Sequence, residues 1–305
     1  MILGRAAATV LAAALLPAPP PQAPQAQARA VPTFGSDVEM VRLDVTVVDR
    51  DGRFVTNLTE SDFEVYEEGR RQPMSTFLRE ELPVSLVLLV DASISVADRM
   101  PLAQAATVRF VTMLRPEDDV RVTEFNDRVT VLQESTTDRG ALRTAIARIA
   151  AGGATALYNA LYTTLRNLPP AFAGGRQRRR VIVLLSDGED TASLVWEEQV
   201  LELVRRREAT VHVIALRPDD DGSNRSARLL RRLSQESGGE VHQPNSIRAL
   251  DSVYARIGEE LRSQYTVGYI STDATHDGRW RNIELRVKGR KDLQVRHRTG
   301  YYAVP

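Results

Sequence analysis

Three runs, "PVSLVLLV" (83–90), "RVIVLLS" (180–186) and "ATVHVIAL" (209–216), are apolar almost without interruption and of strand length. A strand with one wet face alternates polar and apolar residues. A strand that does not alternate is covered on both faces, as in parallel sheets with helices above and below. The segments between the runs carry the covering. Helical patterns are expected at Ala97–Leu114, 138–150, 155–168, 194–207, 227–237 and 247–264. Further strands are expected in "DDVRVTEF", "VTVLQ" and the short "EVHQ". The expectation is a doubly wound, mainly parallel α/β sheet from Leu82 to Ser263.

The flanks read differently. "VRLDVTVVDRDGRFV" alternates around Asp51-Gly52, which predicts two strands and a hairpin turn. "FEVYEEGRRQPMSTF" predicts a strand, a Gly turn and a short strand. The tail returns to the same character in "YTVGYIS", "WRNIELRVKG" and "LQVRHRTGYY". The two flanks, 37–80 and 264–305, are expected to pair into one small all-β domain, with the α/β block of residues 82–263 inserted between them.

The N-terminus has one Arg, the short apolar run "AAATVLAAALL", Pro-rich sequence and then "AQAQARA". This is the layout of a secretory signal over residues 1–30, cleaved after Ala28 or Ala30. The run is shorter than the ~20 residues that span a bilayer. A secreted or periplasmic protein with no membrane span in the mature chain is expected. Net charge is zero, so no global field draws the chain to nucleic acid. The absence of cysteine excludes disulfides and thiolate chemistry.

In open parallel sheets, sites lie beyond the carboxyl ends of the strands. Three stretches fall there. "VDASIS" supplies Asp91, Ser93 and Ser95; "GGATALYNA" supplies Thr155; "LLSDGED" supplies Asp187, with Glu189 and Asp190 behind it. These are carboxylates and hydroxyls only, hard oxygen donors that suit Mg²⁺, Mn²⁺ or Ca²⁺ and suit zinc or copper poorly. Taken alone, "DASIS" also reads as strand-end and helix-cap chemistry. The Gly152-Gly153 pair reads as a turn, as a close approach of backbone to a ligand, or as both.

In this order the motifs resemble the metal ion-dependent adhesion site of von Willebrand factor type A domains: D-x-S-x-S, a distant Thr, a distant Asp. The resemblance implies that Asp91, Ser93, Ser95, Thr155 and Asp187 are metal-site residues. It also implies metal-mediated protein binding, in which a partner's acidic residue completes the coordination of a divalent cation, Mg²⁺ first. The flanks resemble those of acidobacterial proteins related to this family. The sequence departs at Asn159, where such proteins often carry Asp; the departure bears on a second ion or on loop support.

Other features take simpler readings. Asp49, Asp51 and Glu60 lack the glycine placement of an EF-hand, and Arg53 stands where oxygen is wanted, so the stretch is read as a hairpin. Asp219–Gly222 is read as a solvated loop, and Arg176–Arg180 as a charged connection rather than a patch for an anionic partner. There is no G-x-S-x-G elbow or Walker loop. The histidines, His212, His242, His276 and His297, form no H-x-x-x-H pair, and His212 is expected to be structural. The alternatives to a binding module are a Mg²⁺- or Mn²⁺-assisted hydrolase using Glu189 or Asp190 as base, and a structural envelope component.

Overall fold

The computed structural model describes residues 40–79, 82–217 and 225–303. The expected signal segment and the Asp219–Gly222 loop lie outside the described residues.

The apolar runs form the middle of a six-stranded sheet. Strands β5 (Val84–Asp91), β10 (Arg179–Ser186), β11 (Thr210–Ala215), β6 (Asp119–Phe125), β7 (Val129–Thr136) and β12 (Val241–His242) lie in the order β12-β11-β10-β5-β6-β7. All neighbours are parallel except β6 and β7. Successive β5 side chains go to opposite faces, as the pleat requires. Leu86, Leu88 and Val90 join one core with Phe110, Leu142 and Tyr254, which lie on α1 (Met100–Met113), α2 (Arg139–Ala147) and α6 (Leu250–Ser263). Val87 and Leu89 join the other with Leu161, Val200 and Leu229, on α3 (Leu157–Arg166), α4 (Glu197–Arg206) and α5 (Arg225–Ser237). Burial on both faces is therefore the reason these runs do not alternate.

The order of connections matters for the site. From β5 the chain moves outward to β6 and β7. It then returns to β10 on the opposite side of β5. The direction of winding reverses between β5 and β10, which leaves a crevice at their carboxyl ends.

The flanks build two four-stranded antiparallel sheets. β1 (Met40–Val48) lies between β13 (Tyr265–Ile270) and β15 (Gln294–Arg296), with β4 (Met74–Leu78) beyond β13. β14 (Trp280–Val287) lies between β16 (Gly300–Tyr302) and β2 (Phe63–Glu67), with β3 (Arg70–Gln72) beyond β2. Their inner faces share a core that includes Leu43, Val45, Phe63, Val65, Tyr265 and Leu285. N- and C-terminal strands are thus paired across the α/β block. The hairpin expected after β1 shrinks to one bridge, Val48 with Phe54. Both edges of β1 are taken by C-terminal strands, so a long returning strand has no edge to pair with. Asp49 still closes the turn, its Oδ1 accepting from the backbone N–H of Asp51 and of Arg53, both at 2.9 Å.

The helix expected from Ala97 starts later. Residues Ile94–Arg99 are a 3-10 turn that leads into α1. The basic run contains a small hairpin of β8 (Phe172–Ala173) and β9 (Arg176–Gln177) before β10. Arg179 is 1% exposed and ties the α/β block to the sandwich. It pairs with Asp44 at 3.2 Å and donates to the Thr266 hydroxyl and to the carbonyls of Leu261 and Gln264. Among the described residues, no helix is long and apolar enough to cross a membrane.

Candidate functional site at the strand ends

Asp91 is the last residue of β5, and Leu185 of β10 lies opposite Val90. Ser186 therefore stands next to Asp91, with Asp187 one residue further on. The Asp91 carboxylate is buried and locally bonded. Its Oδ1 accepts from the Ser93 backbone N–H at 2.9 Å and from the Ser93 hydroxyl at 2.6 Å. Its Oδ2 accepts from the Ser186 hydroxyl at 2.7 Å. Ser93 and Ser95 hydroxyls lie 2.9 Å apart. The row Asp91–Ser93–Ser95 runs from buried to exposed.

The helix-cap reading of Ser93 makes a prediction that can be checked. Ser93 does sit at the N-cap of the 3-10 turn, but its side chain caps no backbone N–H. Its hydroxyl is committed to Asp91 instead.

Thr155 reaches the same crevice through backbone bonds. The Gly152 N–H donates to the Ala92 carbonyl at 2.8 Å, and the Ile94 N–H donates to the Gly153 carbonyl at 3.1 Å. Gly153 has φ +79°, and a Cβ there would lie 2.9 Å from Asp127 Oδ1, so both conformation and space call for glycine. Gly152 has open space around it. The Thr155 carbonyl accepts from Thr191 and Ala192 N–H groups at 2.8 and 3.0 Å. The loop is thereby stitched to the segment that follows Asp187. Thr155 itself is 3% exposed, and its backbone N–H donates to the Thr191 hydroxyl at 3.1 Å.

Asp187 is the exception in this hydrogen-bonded corner. Its Oδ1 accepts from the Glu189 N–H at 3.2 Å. Its Oδ2 is buried with no hydrogen-bond donor, and Arg217 Nη2 stands 3.8 Å away, beyond hydrogen-bond reach. Burial raises the Asp91 carboxyl above the usual carboxylate range; the Ser186 and Ser93 bonds oppose this, and the neighbouring Asp187 charge adds to it. Two carboxylates share this low-dielectric corner, one oxygen of which has no hydrogen-bond donor and stands 3.8 Å from the Arg217 charge.

The donor set, two carboxylates and three hydroxyls, fits a hard divalent ion by type. Among the described residues no three His, Cys, Asp or Glu side chains gather in metal-holding geometry, so hydroxyls are indispensable to any such fit here. The two bases considered for a hydrolase are engaged elsewhere. Glu189 pairs with Arg217. Asp190 Oδ1 accepts from the Ser193 hydroxyl at 2.5 Å and from the Tyr158 N–H at 3.3 Å.

Sequence reasoning passed over Ser193 and gave Ser186 and Asn159 no bonding partner. Ser186 binds Asp91; its signal was its place in "LLSDG". Ser193 accepts from the Tyr158 and Asn159 N–H groups at 3.0 and 3.1 Å, filling the N-terminus of α3, whose own N-cap, Ala156, has no side-chain oxygen. Asn159 Oδ1 accepts from the Leu194 and Val195 N–H groups, both at 3.0 Å. The departure at Asn159 thus bears on loop support: it holds the segment that presents Leu194 and Trp196, 87% and 69% exposed.

A doubly wound sheet with an oxygen-rich cluster at its switch point defines a class of α/β binding domains. The family model of the von Willebrand factor type A domain matches residues 85–256, more than half of the chain, and the chain belongs to that family. Among curated proteins, it is 26% identical over 220 residues to a UPF0353 protein of Nocardia farcinica, covering 60% of this chain and 65% of that protein. It is 25% identical over 230 residues to a UPF0353 protein of Mycobacterium avium, covering 64% and 67% of the two. The match thus spans about two thirds of these relatives' length. A solved von Willebrand factor type A structure from Catenulispora acidiphila shares the fold at 12% identity, with a TM-score of 0.50 over 89% of this chain and 75% of that one.

Proposed function

We propose that this is an exported binding protein whose von Willebrand factor type A domain holds one divalent cation, Mg²⁺ first and Mn²⁺ or Ca²⁺ as substitutes, and through it binds a protein partner. Asp91 and Asp187 supply charge; Ser93, Ser95 and Thr155 supply neutral oxygens. When bound, the cation offers an acidic side chain of the partner a place to coordinate. The Ser93 and Ser186 bonds hold the Asp91 carboxylate in one orientation. Gly153 brings the Thr155 loop against the β5 end. Asn159 holds the neighbouring exposed loop.

The observation that carries this reading is Asp187 Oδ2, buried and donorless beside a second buried carboxylate. Export rests on the N-terminal sequence pattern. The engagement of Glu189 and Asp190 favours binding over hydrolysis.

The test is partner capture from envelope and secreted fractions with the mature chain as bait, in Mg²⁺ and in EDTA, with wild type and Asp91→Ala. A partner retained only by wild type in Mg²⁺ supports the proposal. A partner retained equally in EDTA and by Asp91→Ala contradicts it. Turnover of a phosphate or carboxylic ester that is lost in Asp187→Ala would return the site to the hydrolases.

A further inference from the structure

The opposite end of the central sheet has the reverse chemistry. Arg180 is the second residue of β10, and Arg207 ends the helix before β11. From Arg180 to Ser186 the strand rises about 20 Å, so this end is well separated from Asp187. Arg42 of β1 and Arg298, between β15 and β16, converge on it from the sandwich. A small cavity of about 30 Å³ is lined by the carboxylates Asp44, Glu208 and Glu236 and by Arg42, Arg205, Arg207 and Arg298. Sharing the last three residues, a groove of about 410 Å³ continues from it, walled by Leu203, Tyr301 and Tyr302.

The carboxylates that line the cavity, Asp44, Glu208 and Glu236, are each shared between two arginines. Asp44 is engaged by Arg179 at 3.2 Å and stands 3.9 Å from Arg42. Glu236 is taken by Arg205 and Arg232. Glu208 pairs with Arg298 Nη1 at 3.1 Å, and its backbone carbonyl accepts from Arg180 Nε at 3.0 Å. Among the described residues, Arg180 and Arg207 have no carboxylate within ion-pair distance. The Arg42 side chain is 9% exposed, yet its Nη1 is buried without an acceptor, and so is Arg298 Nε. A buried guanidinium N–H without an acceptor is costly and marks a missing oxygen. Burial lowers the Arg180 pKa; the Glu208 charge opposes this, and the charges of Arg42, Arg207 and Arg298 add to it.

We infer that Arg42, Arg207 and Arg298, with the charge of Arg180 beside them, form a binding site for a phosphate-type oxyanion in the seam between the sandwich and the α/β block. Planar guanidiniums with several fixed donors suit tetrahedral oxyanions better than ammonium groups do. The small cavity admits the oxygens of an anion but not an organic ring. The adjoining groove has room for a substituent, and the Tyr301 and Tyr302 wall can contact it. The site needs no divalent cation, which separates it from the strand-end cluster.

Phosphate and sulfate stabilise many folds by exclusion from the surface, so melting temperature is an ambiguous readout. The experiment is calorimetric titration of inorganic phosphate, then phenyl phosphate, into the mature chain at constant ionic strength, with EDTA present. One-site binding is expected, weakened about tenfold in Arg207→Gln, since a charged hydrogen bond to one guanidinium is lost. Arg207 is exposed, so this variant keeps the fold; Arg42→Lys retains charge and should lose less than Arg42→Gln. Tighter binding of phenyl phosphate assigns the groove to an organic phosphate, and equal binding assigns the site to the free anion. No binding heat with either probe, or heat unchanged in both Arg207→Gln and Arg42→Gln, overturns the inference.

Discussion

Two buried carboxylates show how differently one chain treats the same group. In the sandwich, Glu67 is 2% exposed and receives hydroxyls from Tyr269 at 2.8 Å, Tyr301 at 3.0 Å and Ser271 at 2.6 Å. Arg281 supplies the counter-charge at 3.3 Å. At the strand ends, Asp187 is 3% exposed, and one of its oxygens receives no donor at all. A carboxylate that serves the fold is surrounded by hydrogens. At Asp187, Oδ1 takes one backbone N–H and Oδ2 takes none, with the Arg217 guanidinium 3.8 Å away, which leaves this carboxylate open to a further cation.

The largest expected effect breaks the closed cluster. Glu67→Ala leaves the Tyr269, Tyr301 and Ser271 hydroxyls without this acceptor and Arg281 with Asp273 at 3.1 Å as its remaining close carboxylate, and should cost about 3 kcal/mol. Urea unfolding should show this loss unchanged by Mg²⁺. An effect within experimental error would remove the contrast from the sandwich side.

The open cluster should respond to metal instead. Mg²⁺ at a hundredfold excess over its dissociation constant should raise stability by about 2.7 kcal/mol. The same urea experiment on Asp187→Ala should show no increment. A full increment in that variant would move the ion away from this site.

Acid sharpens the comparison from a third place. His212 and His242 stack with ring centroids 5.9 Å apart in the main sheet. Burial lowers their pKa values from 6.5, His212 to about 3 and His242 to about 4, and their mutual repulsion contributes at His242. The unfolded chain therefore takes up protons that the folded chain refuses. Stability is full above pH 6.5 and falls as pH drops from 6.5 toward 3. Urea midpoints at pH 7 and pH 5 should differ in that direction, and a His212→Phe/His242→Phe variant should flatten the difference. An unchanged slope would place the acid sensitivity in other groups.

The smallest effect concerns the loop beside the site. Asn159→Ala removes two hydrogen bonds and should cost about 1 kcal/mol. Amide exchange at Leu194 and Val195 should quicken with little change in the sandwich. Unaltered exchange there would deny Asn159 its supporting role.

The sheet was readable because burial on both faces writes itself as unbroken apolar sequence at β5, β10 and β11. The pairing of the flanks was readable from their alternation. The hairpin after β1 misled, since alternation says nothing of which edge is already occupied. At the site, strand-end placement picked out three stretches, because strand ends are where an α/β sheet exposes side chains, and the family resemblance singled out Asp91, Ser93, Ser95, Thr155 and Asp187 within them. The supports were hidden. Ser193 and Asn159 act across 34–36 residues on backbone groups, and no local pattern records such a bond. The arginine cluster was equally hidden, because its members come from four separate stretches of chain.

The central claim is that the Asp91–Asp187 corner holds a single divalent cation. Calorimetric titration of Mg²⁺ and Mn²⁺ into the protein, repeated with Asp187→Ala, tests it most directly. The account predicts one ion per chain in the wild type and none in the variant. Absence of binding heat with Mg²⁺, Mn²⁺ and Ca²⁺ in a folded wild-type chain, or equal binding in the variant, would contradict it.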